Sequence, residues 1–243
     1  MYIISKVHNS VIYFLLVMLK ILGVYIMDDE KETKKKLLEC AMKEFFEKGY
    51  MKASLRNICK EAGVTTGALY FFFKDKEDLF GSIVADTLNG LNEIIEKHFI
   101  EEAIATEALA GGDMSIAALA EAQGFEDDMA IARSVVRYLF EHKEVIELLL
   151  TKSQGSCYEH IADAMVDKVE EHYTRMYIAM KGYKSKKELT KEDKFIIHWM
   201  SHDQIEIFIH LATHCKNVKE GEKQMENMMA YMIGGWYGVI NRK

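Results

Sequence analysis

Thr65, Thr66, Gly67, Ala68 and Tyr70 form a run of small or hydrogen-bonding residues with no acid among them, and Lys76 follows shortly after. That set suits a polyanion. Hydroxyls can bond phosphates or base edges, a glycine lets the backbone approach closely, and a lysine meets backbone charge without reading sequence. The flanking spacing supplies a frame. Ser54 can cap a short helix carrying Leu55, Ile58 and Cys59; Ala62-Gly63-Val64 makes a tight turn; Thr65 can cap the next helix, Thr66 to about Phe72. A braced helix, a glycine corner and a capped short helix have the physics of a helix-turn-helix, whose second helix enters the major groove. Leu69 and Phe73 would then face the core.

A second array has different chemistry. His198, His202, Glu206, His210 and His214 recur every fourth residue, and neighbouring imidazoles at that step could hold zinc or nickel between them. A step of four drifts about 40° per repeat on a 3.6-residue helix, so the five cannot share one ion. We assign no metal site and read the array as a polar or dimer-facing stripe. No phosphate loop, nucleophile elbow or HExxH pattern is present, so the chain is not expected to be an enzyme, and no cofactor is implied.

The elements that position these residues are helical. The 243-residue chain contains no proline, where average usage of about 5% would give roughly a dozen, and its Lys, Glu, Leu, Ala and Met favour helix. Leu37, Leu38, Ala41, Met42, Phe45 and Phe46 make one apolar face from Thr33, with Gly49 expected to end it. Asp75 can cap a long fourth helix with Leu79, Ile83, Leu88, Leu91, Ile94 and Ile95 inward, and Ala103–Gly112 reads as a loop or short helix. Further segments are expected near Asp127–His142, Lys143–Thr151, Cys157–Lys181, Thr190 (a capping box) to Cys215, and Lys219–Ile240. The fold class is therefore all-α, with about nine helices.

Charge is divided unevenly. Residues 27–80 hold eleven basic and eleven acidic side chains, whereas 81–243 hold 18 and 27, a net of −9; the neutral, lysine-studded part is the one suited to a polyanion. Four cysteines without close pairs fit a reducing compartment. Residues 1–26 are a hydrophobic extension, interrupted in SVIYFLLVMLKILGVYIM only by Lys20. Three readings stand for it: translation starting at Met27, a membrane or interfacial segment, or a packed extra helix. The expected organisation is that extension (1–26), a DNA-binding domain (27–80) and a larger helical domain (81–243).

The series Leu38-x2-Ala41-x3-Phe45, Gly49-Tyr50, Ser54-Leu55-x2-Ile58 and Ala62-Gly63-Val64-Thr65-x-Gly67-x-Leu69-Tyr70-x2-Phe73-x2-Lys76-x2-Leu79 resembles the DNA-binding domain of the tetracycline-repressor-like (TetR) family, over about residues 33–80. The resemblance implies a three-helix DNA-binding domain followed by a ligand-binding and dimerisation domain. It implies a cytoplasmic homodimeric transcriptional regulator, a repressor that binds a palindromic double-stranded operator and leaves it when a small-molecule effector binds. By position, Thr66 and Tyr70 match base-touching sites, while Thr65, Gly67 and Lys76 match backbone-touching ones; Ser54 would cap its helix against a phosphate. Phe72 stands where a phosphate-bonding Tyr or His is frequent and Ala53 where Thr is frequent, so Lys52 or Lys35 would have to compensate.

The last helix joins a Met/Ile/Trp stripe to Gly234, Gly235 and Gly238, whose missing side chains permit close approach of helices. With the preceding helix it suits a symmetric interface, expected to include Trp199, Phe208, Met232, Gly234, Gly235, Trp236 and Gly238. Tyr138, Phe140, Tyr158, Met165, Tyr173, Met176, Tyr177 and Met180 are the candidate lining of an apolar pocket. A lipophilic or cationic effector would suit it, through cation–π and carboxylate contacts.

Overall fold

The computed structural model describes residues 29–108 and 125–240, so the expectations for residues 1–26 lie outside the described residues. The chain divides into two compact units, Met1–Ile83 and Val84–Lys243. Among the described residues there are nine α-helices, one 3-10 turn and no strand.

In the first unit, α1 (29–52) buries Leu37, Ala41 and Phe45, a repeat of four that keeps one stripe inward. Its outer face carries the ion pairs Glu32–Lys36 (2.7 Å) and Lys35–Glu39 (3.9 Å). Helical hydrogen bonding continues to residue 52 instead of stopping at Gly49, although Gly49 does take a φ of +73°; the Ala53 amide still bonds the Gly49 carbonyl at 3.1 Å. Next come α2 (Leu55–Ala62) and α3 (Thr66–Phe72). Then α4 (Lys76–Ala108) opens with the Asp78 amide donating to Asp75 Oδ1 at 2.9 Å. The helix runs on through Ala108, so the expected loop from Ala103 is helical over its described part.

The second unit is built from the rest of α4 with α5 (Phe125–Glu141), α6 (Lys143–Lys152), α7 (Ile161–Met180), the 3-10 turn Lys186–Glu188, α8 (Lys191–His214) and α9 (Val218–Ile240). α7 begins four residues later than its apolar pattern suggests. Ser156, Glu159 and Ile161 donate their amides to carbonyls three residues back, at 2.9, 3.2 and 3.1 Å, so Cys157–His160 wind as tight turns. α8 starts on a complete capping box, with Thr190 Oγ1 accepting from the Asp193 amide and Asp193 accepting from the Thr190 amide. Asp193 also accepts from the Tyr177 hydroxyl at 2.6 Å, which ties the start of α8 to α7. α4 and α5 come close at Gly90, where a Cβ would stand 2.2 Å from Tyr138 Oη; that hydroxyl donates to the Thr87 carbonyl at 3.1 Å.

Candidate nucleic-acid interface and cavity

α3 is short and held from both ends. Thr65 Oγ1 accepts from the Ala68 amide at 3.1 Å, and Gly63 takes a left-handed φ of +70°, its amide returning to the Cys59 and Lys60 carbonyls. Only a residue without a Cβ adopts that corner without strain. Leu69 and Phe73 are fully buried beneath the helix. The rotation that buries them turns Thr65, Thr66, Gly67 and Tyr70 outward, with Tyr70 57% exposed. Tyr70 is therefore no part of the core. Ser54 caps α2 by accepting from the Asn57 amide at 3.4 Å, and its own amide donates to Glu44 Oε1 at 3.0 Å. Ala53 is buried, Phe72 is half-buried edge-on to Phe71, and Lys52, Lys35 and Arg56 are exposed.

Lys76 occupies a more structural position than its spacing suggests. Its Nζ donates to the Tyr50 carbonyl at 2.8 Å and the Met51 carbonyl at 3.3 Å, and lies 4.5 Å from the Tyr50 ring centroid. The lysine thus satisfies carbonyls at the end of α1, where a cation also complements the helix dipole. Tyr50 is held in turn by its hydroxyl donating to Glu77 Oε2 at 2.6 Å, and by packing with Phe45 and Phe80. An ammonium has three N–H donors, so one is left to reach outward.

The second unit contains a mainly apolar cavity of about 280 Å³. Of the residues singled out from the sequence, Met165, Tyr173, Met176 and Met180 line it, and Tyr138, Phe140, Tyr158 and Tyr177 do not. Tyr138 is turned onto Gly90 and the Thr87 carbonyl, Phe140 packs on the Met225 cluster, Tyr158 sits in the turns before α7, and Tyr177 is drawn to Asp193. A polar group on the wall was not anticipated: His98, Glu102, Asp128, His172 and Gln204. His172 is 3% exposed, stacks on Phe99 at 3.9 Å between ring centroids, and hydrogen-bonds Glu102 through Nε2. Burial by itself would raise the Glu102 carboxyl, but the His172 hydrogen bond and the charges of His172 and His98 outweigh it and hold the carboxyl below its ordinary range. His172 Nδ1 and Gln204 Oε1 are buried without a partner. Only the His98–Glu102 step of four on one helix hints at this group in the sequence.

Residues 37–83 match the family model described as bacterial regulatory proteins, tetR family. That segment, about a fifth of the chain, is similar to the DNA-binding part of the TetR family. A relative from Bacillus subtilis, the fatty acid metabolism regulator protein, is 24% identical over 136 residues, covering 52% of this chain and 70% of that protein. The HTH-type transcriptional regulator AcrR of Shigella flexneri is 46% identical over 55 residues, 23% of this chain and 26% of AcrR; the chain thus spans about a quarter of AcrR's length. A TetR-like transcriptional regulator from Rhodococcus sp. RHA1 shares the fold, with a TM-score of 0.51 at 14% identity over 86% of this chain and 97% of that one. The matched segment contains both α2 and α3.

The residues named for an interface separate into two groups. Trp199 is 57% exposed on α8, and Gly234, Gly235 and Gly238 on α9 have nothing within 4 Å of where a Cβ would stand. Phe195 and Tyr231, absent from the expected set, are exposed as well. Trp236, Met232 and Phe208 belong elsewhere: Trp236 is 8% exposed with its ring 4.8 Å from Tyr173, and all three line the cavity. Met225, Met229, Met232 and Trp236 share the inner side of α9, so the stripe read as intersubunit is the inside of one protomer. In the histidine array, His198 bonds Glu170 at 2.7 Å, while His198–His202 and His210–His214 pair as rings. Among the described residues no cluster of three or more ligating side chains could hold a metal ion.

Proposed function

We propose that this protein is a TetR-family regulator, a homodimeric repressor that grips a palindromic operator with α3 of each protomer and leaves it when a lipophilic small molecule fills the cavity. The observation that carries the reading is the presentation of α3: a capped, core-anchored helix whose outward residues are hydroxylic or small. In the complex Thr66 and Tyr70 meet bases, Thr65 and the Gly67 backbone meet phosphates, Ser54 approaches a phosphate from the start of α2, and Lys76 offers the DNA its remaining N–H. The α8–α9 face supports pairing of two protomers, because Phe195, Trp199 and Tyr231 are exposed beside three glycines that leave open space. A largely apolar cavity supports a lipophilic effector. Among the described residues no helix is long and apolar enough to cross a membrane; the proposed operator-binding role supports a cytoplasmic location.

The test uses inverted-repeat duplexes from DNA flanking the gene, with fluorescence anisotropy at low ionic strength and light scattering for mass. We expect a dimer that retains one such duplex and loses it on Tyr70→Ala. A monomer indifferent to every inverted repeat would overturn the reading.

A further inference from the structure

The histidines of α8 form two neighbouring pairs that differ in what their ring nitrogens have left to offer. In the pair His210–His214 both Nδ1 atoms are engaged by the helix itself. His210 Nδ1 lies 3.0 Å from the Glu206 carbonyl, with the Glu206 carboxylate 3.5 Å away, and both are acceptors, so this nitrogen carries a proton. The Thr213 hydroxyl donates its one hydrogen to the Ile209 carbonyl at 2.7 Å, and it therefore accepts from His214 Nδ1 at 2.9 Å. Both Nε2 atoms are left over, and among the described residues neither has a partner. That holds whichever charge the rings carry, because a metal ion displaces a proton from an imidazole nitrogen when one is present. The two rings stand one turn apart on the exposed side of α8, 5.0 Å between centroids and 9° from parallel. The pair His198–His202 is unlike it, with ring planes at 71° and His198 Nδ1 bonded to Glu170 on α7.

We propose that His210 and His214 form a surface site for a late first-row divalent cation (zinc, nickel or copper), held by the two Nε2 atoms with water in its remaining positions. Imidazole nitrogen favours these ions, whereas magnesium and calcium take oxygen. The array of five cannot share one ion, but two ligands a turn apart can, and the second imidazole then binds as an intramolecular step. Metal–nitrogen bonds of about 2.0–2.1 Å require the exposed rings to tilt towards each other, which the broad terminal torsion of histidine allows. The Nδ1 bonds to Glu206 and Thr213 orient the ligands from behind. Because His214 is the last residue of α8, an ion spanning this pair binds only while the final turn is helical, and so pins the end of the helix.

The test uses tag-free, full-length protein stripped of metal, titrated with nickel chloride in a calorimeter at pH 8, above the ordinary imidazole range of about 6.5. We expect a single ion per chain and no response to magnesium. His210→Ala and His214→Ala should each weaken nickel binding ~10- to 100-fold, while His202→Ala leaves it unchanged. Nickel should also slow hydrogen exchange in peptides covering 209–217 of the wild type and not of the two weakened variants. The replaced rings are exposed, so circular dichroism should match wild type; if a variant loses helicity, the exchange pattern of the wild type and of His202→Ala decides. Absence of binding to the wild type, binding that survives both substitutions, or an equal loss in His202→Ala would overturn the assignment. None of these results bears on the operator or the effector cavity.

Discussion

Replacing Lys76 with methionine should loosen the end of α1 from a distance of 26 residues in sequence. Methionine keeps an unbranched apolar stem over the Tyr50 ring but deletes the ammonium, and with it the 2.8 and 3.3 Å bonds to the Tyr50 and Met51 carbonyls. A hydrogen bond involving a charged group contributes about 1.5–3 kcal/mol. The second bond here is long and exposed, and water can replace part of the first, so about 1–2 kcal/mol is the expected loss. That corresponds to local opening some 5- to 30-fold more frequent. Hydrogen-exchange mass spectrometry should register it as faster exchange in peptides covering 48–54, with peptides from α5 to α9 unchanged. Because the remaining N–H is assigned to a phosphate, the same variant should make the slope of log K against log salt shallower by about 0.9. Wild-type exchange at the end of α1 would refute the capping role, whatever happens to DNA affinity.

Other perturbations separate local roles. Tyr70→Ala should leave the melting midpoint within about 0.5 kcal/mol of wild type, since the ring is exposed, yet lower operator affinity about 10-fold or more in anisotropy titrations. Gly63→Ala should cost about 1–2 kcal/mol at its left-handed corner, seen as a lower midpoint by circular dichroism; an unchanged midpoint would contradict the strain argument. Gly238→Leu meets open space in the protomer, so helicity should persist while light scattering reports the mass of one chain; a persistent dimer would remove this glycine from the interface. Asp193→Asn probes acid stability. Burial would raise that carboxyl, but hydrogen bonds from Tyr177, Thr190 and Tyr183 hold it below its ordinary value. Its contribution is therefore complete above about pH 4 and fades as pH falls through the lower folded value. The variant should unfold over a range less dependent on pH below 4.

Legibility in the sequence follows how far apart the determining residues lie. Ser54, Gly63, Thr65 and Asp75 act on backbone within four residues of themselves, so the caps and corner of the first unit are local chemistry and stand where the pattern puts them. Lys76 looked like a solvent-facing phosphate contact because nothing local reveals that the end of α1 lies beneath it. The same limit governs the second unit. An apolar stripe on α9 says only that one side is covered, and core, cavity and partner leave the same periodicity; the structure assigns Trp236 and Met232 to the cavity and leaves the glycines open. Tyr138 and Tyr177 carry hydroxyls whose partners, Thr87 and Asp193, lie on other elements, and those bonds turn both rings away from the space they were expected to line.

The meeting of Gly90 with Tyr138 ties two positions that are 48 places apart in the chain into one unit of inheritance. A methyl at position 90 requires the Tyr138 phenol to move, since its hydroxyl stands 2.2 Å from where the Cβ would sit; with a smaller side chain at 138, alanine at 90 fits without that shift and gains helix propensity. Divergent descendants of this protein should therefore tend to change the two positions together.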